Sequence, residues 1–158
     1  MPQTPPVVLT IAGFDPSSGA GATADIKTIA AHGCFGVAAL TALTVQSTAG
    51  VKRSEAMDVA LLRETLEELK DDCKIAAVHI GMLGRAGVAN AVADFLESSR
   101  LPCIVLDTII EASSGARLLD EAGQALDSSD AATKLTAIRQ TLNAVKFLNG
   151  LLRDLNED

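Results

Sequence analysis

Ile11-Ala12-Gly13-Phe14-Asp15-Pro16-Ser17-Ser18-Gly19-Ala20-Gly21 reads as a short apolar strand that breaks into a turn of small residues and reopens as a helix. The residues leading into it, Val7-Val8-Leu9-Thr10-Ile11-Ala12, are β-branched and apolar without polar alternation, the pattern of a strand covered on both faces. Asp15-Pro16 turns the chain, Gly19 and Gly21 are expected to take backbone conformations that a Cβ forbids, and Ser17 or Ser18 is expected to cap the helix. So little side-chain bulk lets a ligand reach the backbone, whose N–H groups suit an anion or a hydroxyl. Two familiar glycine loops are excluded. Gly13 to Gly21 holds no Gly-Lys-Ser or Gly-Lys-Thr, and Gly19-Ala20-Gly21 is followed by Ala22-Thr23-Ala24 rather than the third glycine of a dinucleotide loop. Two readings remain for the stretch, a ligand loop and a plain glycine-rich β–α turn.

The rest of the chain repeats this grammar. Ala20 to His32 reads as a helix stopped by Gly33, with Asp25, Lys27 and Thr28 on a solvated face. Phe35 to Gln46 reads as a buried strand, its alanines leaving helix as an alternative, and Gln46-Ser47-Thr48 closes it. A helix beginning at Ser54 or Met57 and ending at Lys70 turns Val59, Leu62, Leu66 and Leu69 inward. Ile75 to Ile80 is the next strand, followed by Gly81-Met82-Leu83-Gly84, a helix over Ala86 to Ser99, and a fourth strand, Cys103 to Leu106, ending at Asp107. Strands alternating with such helices imply right-handed crossovers and a mainly parallel sheet between helical layers, a three-layer α/β sandwich. Ligands collect at the carboxyl ends of such strands, which here carry the glycines and small polar residues. At those ends Gln46 is either a paired hydrogen-bonding partner for a heterocyclic amide or amidine edge or a loop amide bonding backbone. Met82 either packs on a flat ring or belongs to the core.

Composition narrows the function classes. In 158 residues, 48% are hydrophobic, enough for a real core, and the formal net charge of −7 argues against non-specific binding to nucleic acid or an anionic membrane. The apolar runs are too short to span a bilayer, and Met1 to Pro6 lacks a basic stretch before an apolar one, so a cytoplasmic location is expected. Cys34, Cys73 and Cys103 are scattered and never form a Cys-x-x-Cys pair, while His32 and His79 lie far apart, so no metal site is expected and both histidines read as structural.

Taken together, Thr10 to Gly21, Asp25-Ile26-Lys27-Thr28, Thr41 to Thr48, Ile80-Gly81-Met82-Leu83 and Val105-Leu106-Asp107 resemble the hydroxymethylpyrimidine/phosphomethylpyrimidine kinases of thiamine biosynthesis, which have the ribokinase-like fold. The resemblance runs in order from about Val7 to about Leu126. It implies 4-amino-5-hydroxymethyl-2-methylpyrimidine or its monophosphate as substrate, and ATP with Mg²⁺ as phosphoryl donor. By the same resemblance Gly13 and Ala20 line the pyrimidine pocket, Asp15 and the serines shape its loop, Gln46 bonds the aminopyrimidine edge, Met82 covers a ring face, and Asp107 lies near the phosphates and metal.

The sequence also departs from the family. Thr108 replaces a usual proline, Glu111 is an acid in an apolar place, and Ser113 stands where many members have lysine. No Asn is followed three positions later by Glu, and the family's later strands and late glycine-rich anion loop have no counterpart here. No catalytic residue is therefore assigned, and phosphoryl transfer by the isolated chain is not expected. The expected organisation is a ribokinase-like substrate-binding half over residues 1–126, truncated after about four strands, and a divergent helical tail over residues 127–158. Ala131 to Leu155 reads as one long helix with a stripe from Leu135 to Leu155. The alternatives to a kinase half are a non-catalytic aminopyrimidine-binding module, with the tail assembling a homo-oligomer, or a product without activity. A complementing polypeptide is a further expected partner.

Overall fold

A computed structural model describes residues 4–107 of the chain. The elements follow in the order β1 (Val7–Phe14), α1 (Gly21–Ala31), β2 (Phe35–Ser47), β3 (Gly50–Ala56), α2 (Val59–Asp72), β4 (Ile75–Ile80), α3 (Ala86–Ser99) and β5 (Ile104–Leu106). They build one five-stranded sheet in the order β3-β2-β1-β4-β5. β1 runs parallel to both neighbours, β5 is parallel to β4, and β3 returns antiparallel along β2.

Alternation along the strands sorts the layers. Leu9 and Ile11 of β1, Ala39 of β2, and Val78 and Ile80 of β4 turn to one face, where they pack with Leu62 and Leu66 of α2 and Val88, Val92, Phe95 and Leu96 of α3. α1 covers the opposite face of β1 and β2, where Ile26 and Ile29 close over Gly36 and leave no room there for a Cβ. The result is the expected three-layer sandwich with a mainly parallel sheet. The chain leaves β1 toward β2 by way of α1 and later reaches β4 on the other side of β1, so the sheet reverses direction at its central strand. In open α/β sheets the crevice at such a reversal is where ligands bind.

Two expectations change. The described residues hold five strands rather than about four, the addition being β3. Lys52, Arg53, Ser54 and Glu55 on β3 are all exposed, so the strand has no buried face to generate an apolar alternation and is polar as an edge strand should be. The second helix accordingly starts only at Val59, where the Asp58 carboxylate accepts the Leu61 backbone N–H at 3.0 Å. The alanine-rich Phe35–Ser47 segment is strand, because Ala39, Thr41 and Ala42 lie fully buried between β1 and the helices, where small side chains fit. The long helix expected over Ala131 to Leu155, its stripe, and the boundary at residue 126 lie outside the described residues.

Candidate functional site

The β1–α1 loop is organised by one buried carboxylate. Asp15 is 3% exposed, and its two oxygens accept four hydrogen bonds: Ser17 N–H at 2.8 Å, Ser17 Oγ at 2.7 Å, Gly19 N–H at 3.0 Å and Ala20 N–H at 2.9 Å. Burial pushes its pKa up, but the hydrogen bonds from Ser17, Ala20 and Gly19 outweigh this and hold it below the usual carboxylate value. Asp15 thus does what Ser17 or Ser18 was expected to do. The helix N-cap is Ala20, whose side chain offers no cap, and an aspartate five residues earlier binds its backbone instead. Thr23 Oγ1 closes the turn by donating to the Asp15 carbonyl at 2.7 Å. Ser18 rather than Gly19 takes the left-handed conformation, at φ 59°, while Gly21 takes φ 57° and sets its Cα against the Gly13 carbonyl so closely that a Cβ would collide with it.

The neighbouring strand ends supply the other walls. Met82, after β4, lays its methyl end over Gly13 where a side chain would otherwise stand, and its carbonyl accepts the buried Thr41 hydroxyl at 2.5 Å. Gln46 follows a register shift in the β2–β3 pairing. The Thr44 hydroxyl lies 2.8 Å from the Phe14 carbonyl and 3.1 Å from Gln46 Oε1, which steadies the amide and leaves its nitrogen available as a donor. Asp107 is the exposed residue just past β5, fixed by its backbone N–H to the Ile80 carbonyl at 2.8 Å.

These residues meet. Gly13, Asp15, Ala20, Gln46, Met82 and Asp107 all line one open cleft of about 850 Å³ at the carboxyl ends of the strands. Gly13 and Met82 give the cleft an apolar wall, Gln46 brings an amide from its β2 side, and Asp107 adds an exposed carboxylate. Among the described residues no group of three or more His, Cys, Asp or Glu side chains is placed to hold a metal, so these residues do not by themselves form a Mg²⁺ site. No helix among the described residues is long and apolar enough to cross a membrane.

Two lining residues were read differently from sequence. Asp25 belongs to no solvated face: its carboxylate accepts Thr10 Oγ1 at 2.6 Å and lies 3.3 Å from Nδ1 of His79. Burial raises its pKa, yet the His79 and Thr10 contacts and the His79 charge bring it below the ordinary value. Thr10 and His79 are register partners on β1 and β4, and Asp25 and His79 both line the cleft. The one signal in the sequence was a polar residue in the middle of each of two apolar strands. The His32 ring nitrogen lies 2.8 Å from the Thr28 carbonyl at the end of α1.

A family model for phosphomethylpyrimidine kinase matches residues 15–146. The hydroxymethylpyrimidine/phosphomethylpyrimidine kinase of Haemophilus influenzae is 45% identical over 112 residues, covering 71% of this chain and 42% of that protein. The crystal structure of phosphomethylpyrimidine kinase from Clostridium difficile 630 matches with a TM-score of 0.71 at 34% identity, over 77% of this chain and 53% of that one. Pyridoxal kinase from Staphylococcus aureus, in complex with AMP-PCP and pyridoxal, matches with a TM-score of 0.59 at 30% identity, over 65% of this chain and 39% of that one. The chain spans about half the length of these relatives or less. The architecture is that of the ribokinase-like vitamin kinases, and sequence and fold agree on the nearer relationship: this chain belongs to the phosphomethylpyrimidine kinase family.

Proposed function

We propose that this chain supplies the pyrimidine-binding part of a kinase that phosphorylates 4-amino-5-hydroxymethyl-2-methylpyrimidine or its monophosphate, with ATP as donor. One observation carries the reading: residues from the carboxyl ends of β1, β2, β4 and β5 converge on a single cleft. In this reading Met82 covers one face of a flat ring, and Gly13 and Ala20 line the pocket around it. The Gln46 amide pairs with its aminopyrimidine edge, donating through the nitrogen and accepting through the oxygen. Asp15 shapes the loop, and Asp107 faces the phosphoryl end. The described residues contain no cluster to hold Mg²⁺, so no step of phosphoryl transfer is assigned to them.

Isothermal titration of the full chain with hydroxymethylpyrimidine tests the reading. Saturable one-to-one binding is expected, weakened about tenfold by Gln46→Ala, which corresponds to about 1.4 kcal/mol. No binding by a chain with intact circular dichroism would overturn it. Titration and turnover with Mg-ATP then separate a chain that catalyses from one that only binds.

A further inference from the structure

β1 and β2 separate at the mouth of the cleft. Their last register pair is Phe14 with Leu43, so neither Thr44 nor Gln46 has a register partner on β1. On the other side Val45 faces Arg53 and Gln46 faces Val51, which leaves Lys52 as the extra residue of a bulge, a device that re-aims neighbouring side chains. Thr44 and Gln46 lie two apart on β2, and both line the cleft. The Thr44 hydroxyl bridges the gap between the strands, 2.8 Å from the Phe14 carbonyl and 3.1 Å from Gln46 Oε1. Its single hydrogen serves both oxygens as a forked bond, the shorter arm going to the carbonyl. That carbonyl is a firm reference point, because Asp15 follows it and is held through both its carboxylate and its own carbonyl. Among the described residues the Gln46 side chain has no other hydrogen-bond partner.

We propose that Thr44 is a positioning residue for recognition of the heterocycle: its hydroxyl holds the Gln46 amide in place before the ligand arrives, and so sets how strongly the cleft prefers a ring with an amino group beside a ring nitrogen. This rests on the pyrimidine reading of the cleft. A glutamine side chain free to rotate loses that freedom on binding, and the loss subtracts from the affinity its amide supplies. The bond to Thr44 removes much of that cost in the free protein. A ring without the amino group makes no paired contact with the amide and gains nothing from its being ordered. The effect of Thr44 therefore falls on the amino ligand alone. It is the same for the hydroxymethylpyrimidine and its monophosphate, which share the amino edge.

Titration of the full chain with two ligands tests this, the aminopyrimidine 4-amino-5-hydroxymethyl-2-methylpyrimidine and its analogue 5-hydroxymethyl-2-methylpyrimidine, which has hydrogen in place of the amino group. Thr44→Val exchanges the hydroxyl for a methyl group of similar size that suits a strand, and Thr44→Ser keeps the hydroxyl. Thr44→Val is expected to weaken binding of the amino ligand about three- to tenfold and to leave the analogue unchanged, while Thr44→Ser stays within about twofold of wild type for both. In a Gln46→Ala background Thr44→Val is expected to have no further effect. A hydroxyl that merely ties β2 to the β1 loop predicts another pattern: both ligands weaken together, and the loss persists in the Gln46→Ala background. That pattern overturns the inference, as does a folded Thr44→Val protein with wild-type preference for the amino ligand. Thr44→Ala, read by the same ratio of affinities, decides the matter if Thr44→Val does not fold. A wild type that binds both ligands equally overturns this inference alone, whereas a folded wild type that binds neither overturns the pyrimidine reading as well.

Discussion

Replacing Asp15 by alanine should be the most damaging single change in the cleft loop, because four donors converge on its two oxygens. Hydrogen bonds to a charged group are worth about 1.5–3 kcal/mol each, so a simple sum would reach roughly 6–12 kcal/mol. That sum overstates the loss. Gly19 and Ala20 are exposed and Ser17 is half-buried, so water recovers most of these donors once the carboxylate is gone. Removing Asp15 also relieves the burial of a charge. A net loss of about 2–4 kcal/mol is expected, a sizeable part of the roughly 5–15 kcal/mol that holds a domain together. The chain has no Trp or Tyr, so urea unfolding is best followed by far-ultraviolet circular dichroism. Asp15→Asn should fall between wild type and Asp15→Ala, since it keeps one acceptor oxygen and turns an NH₂ group toward the donors of the other. Ser17→Ala removes one hydroxyl and should cost about 0.5–1.5 kcal/mol. An Asp15→Ala protein within about 0.5 kcal/mol of wild type would refute the carboxylate-centred account of the loop.

Gly21→Ala should cost about 2–3 kcal/mol or more, because the added Cβ meets the Gly13 backbone carbonyl and the φ of 57° is itself strained. Gly33→Ala, at φ 73° in open space, should cost only about 1–2 kcal/mol; equal losses in thermal melts would count against the close approach at Gly21. Gly13→Ala meets only the flexible end of Met82, so it should lower pyrimidine affinity more than stability, and titration showing unchanged affinity would remove Met82 and Gly13 from the ring slot. Asp15 and Asp25 both have lowered pKa values in the fold, so their contribution is present above the unfolded carboxylate value of about 3.9 and is lost as pH falls through their folded values. Urea midpoints measured from pH 6 down to pH 3 should therefore fall more steeply for wild type than for Asp15→Ala; parallel curves would contradict the assigned direction.

What could be read from the sequence follows from what was buried. β1, β4 and the helices α2 and α3 put continuous or periodic apolar residues into one core, and those residues mark themselves. The cleft loop was legible because small residues and glycine at a strand end have few other uses. β3 left no such trace, since Lys52 to Glu55 face solvent and its pairing is a property of the hairpin rather than of its own residues. Asp25 was misread for a related reason. On a helix its spacing looks solvated, and only the fold brings it opposite Thr10 and His79, 15 and 54 positions away in the chain. The capping role of Asp15 was hidden because it acts from outside the helix it stabilises, across five residues that form no regular structure.

That unremarkable hairpin also bears on the site. β1 stops pairing with β2 at Phe14, opposite Leu43, whereas β2 continues to Ser47 with β3 as its only partner among the described residues. Gln46 therefore stands on a two-stranded ribbon that projects past the central strand, an arrangement with little stability of its own. Thr44 is what ties it back, through its hydroxyl to the Phe14 carbonyl at the mouth of the β1 loop. The opposite wall is rigid by construction, with every oxygen of Asp15 engaged, and Met82 held through its carbonyl by Thr41. The cleft thus sets a wall whose polar groups are engaged, at Asp15 and Met82, against a two-stranded ribbon tied back by the Thr44 hydroxyl. The exposed strand that the sequence concealed is the pairing partner of the β2 segment that carries Gln46 to the cleft.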